Sequence, residues 1–370
     1  MDDVIRDVEA FPLRGSSRDG IWGPAYGFVV KVTTEDGLTG FGESDTSPAI
    51  AHAVITAAYT NPFDSGLREL LVNSPADPGA AWESMRQAVI QYGRDGVVVH
   101  AMAAVDIALW DIAGKRAEKP IVELLGGRRR GQLRCYGTHP LASSMERNSE
   151  AALRLVESGF DAVKFGWAPF GTDASHDEMI VRTLREAIGP GVDLLIDVGT
   201  AWDVDTAISR ANLLEPYDLL WLEEVLPPYD YSGYEIVCRE VTTPIAAGEM
   251  AARADELINL VALGCVDILQ IDVSRTGLTQ AQRVIAAAEE HGIPIVNHTY
   301  GHVLNAAASL HLMGAAAEVS LFEWQATPNE IRDALNHGQV QAVRGLIEVP
   351  SSPGLGVEVD EAALRFYSQV

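Results

Sequence analysis

The amino-acid sequence predicts an α/β protein, a parallel barrel of the TIM type that follows a smaller α+β domain. Three observations point there. Beyond Ala162, short β-rich runs alternate with amphipathic helical stretches, and each run carries a charged or ionisable residue at its C-terminal end. Those residues, Lys164, Asp197, Glu223, Glu249, Asp272, His298 and Glu323, are separated by 33, 26, 26, 23, 26 and 25 residues; a strand, a helix and two loops need about 25. No G-x-G-x-x-G follows any of the runs. The open, doubly wound sheet, which would show the same alternation, therefore lacks its dinucleotide-binding signature.

Near the N-terminus, "GFVVKV" (Gly27 to Val32) and "GLTGFGE" (Gly37 to Glu43) flank "TTEDG", a hairpin signal with Asp-Gly at its corner. "PGAAWESMRQAVIQ" and "VVVHAMAAVDIALWDIAGKRAEKPIVELLGG" carry apolar residues at three- and four-residue spacing, and the second closes on Gly126 and Gly127. The α+β domain is placed over residues 1–128, with lid loops near 15–27 and 44–60. The barrel strands are "LRCYGTHP", "AVKFG", "DLLIDVG", "LLWLEEV", "TPIAAGE", "VDILQID", "IPIVNH" and "VSLFEW", eight in all.

Composition narrows the partners. The chain has 370 residues, 47% hydrophobic and 21% charged, enough for a sizeable core. Its 27 basic and 52 acidic residues give a formal charge of −25, which opposes binding to a phosphate backbone or an anionic membrane. The N-terminal "MDDVIRDVEAFPLRG" has no basic or apolar leader region, and no stretch is expected to approach the ~18 apolar residues of a membrane span. A cytoplasmic protein and a homo-oligomer are expected. Cys135, Cys238 and Cys265 are scattered, and core thiols are expected rather than a disulfide.

In a parallel barrel the C-terminal strand ends open onto one face, so the seven polar residues converge. Asp197, Glu223 and Glu249 fall on neighbouring strands. Three carboxylates alone would repel one another and take up protons, whereas a hard divalent ion such as magnesium accepts such oxygen ligands. Glu224 competes with Glu223, but adjacent strand residues face opposite ways, so only one points inward, and Glu223 is favoured. Asp272 and His298 end the next two strands. A carboxylate accepting from Nδ1 would fix the tautomer of the ring and aim Nε2 outward as a base.

The stretch "AMAAVDIALWDIAGKRAEKPIVELLG" (Ala101 to Gly126) closely resembles the signature helix of the mandelate racemase/muconate lactonizing branch of the enolase superfamily. The Asp, Glu, Glu, Asp, His, Glu series is similar to that of its mandelate racemase subgroup. This resemblance spans essentially the whole chain. It implies a capping domain over 1–128, a (β/α)7β barrel over 129–345 and a C-terminal segment, 346–370, that returns to the cap. By position it makes Asp197, Glu223 and Glu249 the ligands of one Mg²⁺, His298 with Asp272 the catalytic dyad, and Glu323 a hydrogen-bonding partner of the substrate carboxylate.

In the resemblance, strand 2 ends in Lys-x-Lys, the first lysine neutralising the substrate carboxylate and the second serving as a base. Lys164 holds the first place and Gly166 the second. With that base missing, two-base racemisation and lysine-dependent cycloisomerisation lose support. The implied activity is a lyase reaction: removal of a proton α to a carboxylate, then loss of a β-hydroxyl, converting an acid sugar into a 2-keto-3-deoxy acid. A racemase, epimerase or cycloisomerase of the same superfamily, a catalytically silent sugar-acid binder and an unrelated metal-dependent barrel are the alternatives. Candidate substrate contacts are Arg18, Trp22 and Tyr26 in the first lid loop, and His139, Trp167, Arg275 and Tyr300 at the rim. His176 and His302 also lie near rim loops.

Overall fold

The computed structural model describes residues 4–15, 25–61, 65–300 and 302–368. In the N-terminal part, β1 (Ile5–Arg14), β2 (Tyr26–Thr34) and β3 (Thr39–Ser44) form an antiparallel sheet in that order. The hairpin expected from Asp-Gly joins β2 to β3. Ile5, Val8, Phe28, Val30 and Val32 share a core with Ala104, Val105 and Ala108 of the helix Val97–Arg116. β3 lies so close to this helix that a Cβ at Gly40 or Gly42 would come within 2.1 or 2.0 Å of the carbonyl oxygens of Ala108 and Ala104. Glycine there is a packing requirement.

Three expectations for this part are corrected. The helical stretch does not run unbroken to Gly126: it stops at Arg116, and Pro120 caps a separate short helix, Ile121–Leu124, because proline cannot donate and restricts the residue before it. The 44–60 segment is not all loop, since Pro48–Thr56 is helical. Finally, Val97–Arg116 is long and apolar enough to cross a membrane. Its composition has another cause, because most of it is buried inside the protein, with Asp106 and Asp111 at 0% and 1% exposure.

Eight parallel strands follow: β4 (Gln132–Pro140), β5 (Ala162–Gly166), β6 (Asp193–Asp197), β7 (Leu219–Glu223), β8 (Ile245–Ala247), β9 (Ile268–Ile271), β10 (Ile295–Asn297) and β11 (Phe322–Gln325). Neighbours pair in sequence order and β11 returns to β4. β10 reaches the chain just before β11 through the Ile295 N–H on the Glu318 carbonyl at 3.0 Å and the Ser320 N–H on the Ile295 carbonyl at 2.9 Å. The ring is a nearly closed barrel beneath a cap.

Period-two alternation sorts its interior into layers. Tyr136, Ala162, Leu195, Trp221, Ala246, Ile268, Val296 and Leu321 fill the barrel as one apolar plug. Two residues further along their strands stand Thr138, Lys164, Asp197, Glu223, Gln270, His298 and Glu323, all buried. Apolar packing thus forms the floor on which the polar layer rests.

After the barrel, β12 (Leu346–Glu348) pairs antiparallel with β4. The chain then reaches the N-terminal part, where the Leu355 N–H donates to Asp111 at 2.9 Å and Lys31 pairs with Glu361 at 2.7 Å. All three cysteines are free thiols, Cys135 and Cys265 buried and Cys238 half-buried.

Candidate active site

The structure brings Asp197, Glu223 and Glu249 together, with one oxygen of each within 4.8 Å of the others. Asp197 and Glu223 end β6 and β7, and Glu249 stands just beyond the short β8. Burial, together with repulsion from Glu223 and Glu249, raises the Asp197 carboxyl well above its usual range. Burial also raises Glu249, whose Oε2 accepts no hydrogen bond among the described residues. For Glu223 burial is outweighed by Lys164, and the carboxyl is lowered. A buried, mutually repelling oxygen set with an orphaned acceptor fits a hard divalent cation. Glu224 turns elsewhere, and its Oε1 accepts from the Gly248 N–H at 2.9 Å.

His298 and Asp272 form a buried pair, with Nδ1 2.7 Å from Asp272 Oδ2. The other Asp272 oxygen accepts from the Ser274 N–H at 2.8 Å and from Asn305 Nδ2 at 3.0 Å, so the carboxylate is held from two directions. Nε2 therefore faces the acid cluster, 3.4 Å from Glu249 Oε2. Burial disfavours the imidazolium, but Glu249, the hydrogen bond to Asp272 and the charge of Glu323 outweigh it and carry the ring up to about 10. Positive charge held on Glu249 would offset the largest of those contributions.

Lys164 lies within β5 rather than at its end. Its ammonium is shared between Glu223, in direct contact, and Glu323 Oε1 at 2.8 Å, and stands 5.3 Å from the centre of the Tyr136 ring. Glu323 Oε2 accepts from the Thr299 N–H at 2.8 Å. Both Glu323 oxygens are thus acceptors, which suits a role in holding Lys164 better than the expected contact with a substrate carboxylate. Next along β5, a Cβ on Gly166 would stand 2.3 Å from Asp197 Cβ and 2.5 Å from its carbonyl oxygen. Position 166 has no room for a side chain.

The rim contacts divide. Arg18 and Trp22 lie outside the described residues. Tyr26 donates to Asp45 Oδ1 at 3.0 Å. Arg275 is spent as a clamp between cap and barrel, donating to Asp45 Oδ2 at 3.0 Å and to the Glu249 carbonyl at 2.8 Å. It also lies 3.6 Å from Asp272. Although Asp45, Asp272 and His298 approach within 4.8 Å of one another, this guanidinium supplies their positive charge. Trp167 donates to Asp197 Oδ2 at 2.9 Å. Tyr300, two residues beyond His298 in the chain, is half-buried.

His139 is not brought to the mouth. It faces out of the barrel on β4, its ring centre 5.6 Å from that of Phe165 and its Nδ1 2.7 Å from the Pro140 carbonyl oxygen. Alternation along "CYGTHP" turns Thr138 inward instead, level with Lys164. Thr138, Asp45 and Asn305 are absent from the sequence-based site. Strand parity could have found Thr138; the other two are joined to the site only by tertiary contact.

Comparison with known proteins fits this architecture. Residues 23–126 match the mandelate racemase/muconate lactonizing enzyme N-terminal domain, and residues 147–363 match the enolase C-terminal domain-like family. The chain belongs to the mandelate racemase/muconate lactonizing enzyme family of the enolase superfamily and is an enzyme of that superfamily. It is 30% identical to D-galactarolactone cycloisomerase of Agrobacterium fabrum, over 91% of this chain and 89% of that protein. It is 31% identical to L-rhamnonate dehydratase of Saccharopolyspora erythraea, over 98% and 91%. Among solved structures, the 3,6-anhydro-D-galactonate cycloisomerase of Zobellia galactanivorans superposes with a TM-score of 0.90 at 30% identity, covering 99% of this chain and 100% of that one. A racemase of Streptomyces coelicolor A3(2) with bound magnesium gives 0.85 at 26% identity, covering 99% and 100%.

Proposed function

We propose that this enzyme dehydrates a sugar acid to a 2-keto-3-deoxy acid. One observation carries the reading: the mouth has a positioned base on one side, His298 with Asp272, and none on β5, where Asp197 packs against Gly166. A single-sided base suits elimination better than inversion of a stereocentre, which needs proton donors and acceptors on both faces. Several relatives are named as dehydratases of sugar acids.

Asp197, Glu223 and Glu249 would hold one Mg²⁺, which when bound supplies positive charge to a substrate carboxylate as it gains enolate character. Lys164, kept cationic by Glu223 and Glu323, adds a fixed donor to the same charge. His298 Nε2 takes the α-proton, and the C–H electrons move toward the carboxylate. Their return forms the Cα–Cβ double bond and expels the β-hydroxyl, which takes the proton from His298 and leaves as water. The resulting enol takes a proton at Cβ and becomes the ketone. Asp272, fastened by Ser274 and Asn305, keeps Nδ1–H bonded throughout.

Two relatives are named as cycloisomerases, and their similarity supports the competing reading. Product mass separates the two, since dehydration gives a product one water lighter than the substrate and isomerisation one of equal mass. A panel of acid sugars incubated in D₂O with Mg²⁺ is expected to yield a keto acid deuterated stereospecifically at C3, with recovered substrate unchanged at C2. Accumulation of a C2 epimer carrying deuterium would sink the one-base mechanism.

A further inference from the structure

His302 is the N-cap residue of the helix Val303–Ala315, yet its side chain makes no capping hydrogen bond. Glu43 of β3 does that work, its Oε2 accepting from the Leu304 N–H at 2.7 Å and from the Asn305 N–H at 3.3 Å. The imidazole is 5% exposed, and neither ring nitrogen has a hydrogen-bond partner. His311, also buried, shows what a structural histidine looks like, with Nδ1 3.3 Å from the Val122 nitrogen and Nε2 3.0 Å from the Leu355 carbonyl oxygen. Among the described residues His302 is the one buried histidine with both nitrogens idle, and two buried idle polar atoms are costly unless something else engages them.

Its position says what that something is. The ring lies edge-on to Tyr26, centres 6.0 Å apart, and its Nε2 faces the backbone of Gly27, 3.8 Å from where a Cβ would stand. Tyr26 donates to Asp45, and Asp45 lies within 4.8 Å of the dyad. His302, four residues beyond His298, therefore stands on the cap side of the dyad, against Tyr26 and Gly27, whereas Lys164, the donor for the carboxylate, lies on β5, three strands round the ring from β10. An imidazole with one donor and one acceptor free matches a neutral hydroxyl. Resting on the sugar-acid reading above, we infer that His302 is a hydrogen-bonding contact for a substrate hydroxyl remote from the carboxylate, and so a determinant of which sugar acid the enzyme accepts.

The test measures binding apart from turnover. His302→Phe keeps a ring and removes both nitrogens, while His302→Asn keeps one donor and one acceptor. Aldonic acids and matched deoxy analogues lacking one distal hydroxyl are titrated calorimetrically into the protein with Mg²⁺. The wild-type protein is expected to favour one hydroxylated acid over its deoxy partner by about tenfold or more. His302→Phe should erase that preference by weakening the hydroxylated acid alone, and His302→Asn should restore part of it. A His302→Phe protein that keeps the preference, or that loses both ligands equally, overturns the inference. A wild-type protein that binds no polyhydroxy acid overturns it together with the substrate class. Binding that behaves as expected without formation of a keto acid defeats only the dehydration reading.

Discussion

Asp111 in the cap and Glu249 at the barrel mouth are both buried acids, at 1% and 3% exposure, and burial raises the carboxyl of each. Their surroundings differ. Asp111 accepts from the Phe41 N–H at 3.0 Å, the Leu355 N–H at 2.9 Å and Lys115 Nζ at 2.7 Å. Asp106, one turn earlier, is raised to about 7 by burial but accepts from the Thr279 N–H at 2.9 Å. These two acids pin the signature helix to β3, to a barrel helix and to the C-terminal segment. Glu249 faces two other carboxylates and keeps an oxygen free. Burial and charge are common to both sets, so neither marks a functional site. Convergence with unsatisfied atoms does, because a stable fold has no use for like charges held together.

The largest effect expected at the mouth comes from the dyad. Per folded molecule, His298→Asn should lower turnover on the order of 10⁴-fold, and Asp272→Asn by up to ~10⁴-fold through the ring's tautomer and basicity. The sign of the pH dependence follows from the raised ring. Only neutral imidazole accepts a proton, so kcat/KM should climb as pH rises through the His298 pKa and level off above it. Added Mg²⁺ should move the ring's NMR titration to lower pH by offsetting Glu249. A titration indifferent to Mg²⁺ would separate His298 from the acid cluster.

Next in size is the cluster itself. Glu249→Gln keeps volume and removes charge, and turnover should fall on the order of 10³-fold. A second readout needs no substrate: Mg²⁺ at about 100 times its Kd should stabilise the wild-type protein by about 2.7 kcal/mol and this variant far less. Without Mg²⁺ the variant should melt no lower than wild type, since a repulsive contact is gone. An unchanged Mg²⁺ response would remove Glu249 from the ligand set.

The cap acid should behave in the opposite way. Asp111→Ala leaves two buried N–H groups and Lys115 without their acceptor, for a loss of about 3 kcal/mol in unfolding free energy. Activity per folded molecule and the Mg²⁺ response should persist. If Asp111→Ala instead abolished turnover at full stability, the contrast between the two sets of acids would fail.

Much of this was legible from residue order alone. The recurrence near 25 residues and the polar residue late in each run encoded the eight βα units and the side chains that the structure brings together at their C-terminal ends, because strand parity and βα spacing are local properties of the chain. An open sheet would show the same alternation, so closure into a barrel is a tertiary fact. Where parity was applied it chose Glu223 over Glu224. Where it was not, His139 stood in for Thr138. Other features were decided only by the tertiary structure: Arg275 became a clamp because Asp45, 230 residues away in the chain, lies against it. Gly166 is closed to any side chain because β5 and β6 meet there, and His302 is idle because Glu43 has taken its capping role. Such partners are brought together by packing of the cap on the barrel, and no spacing within a single element encodes them.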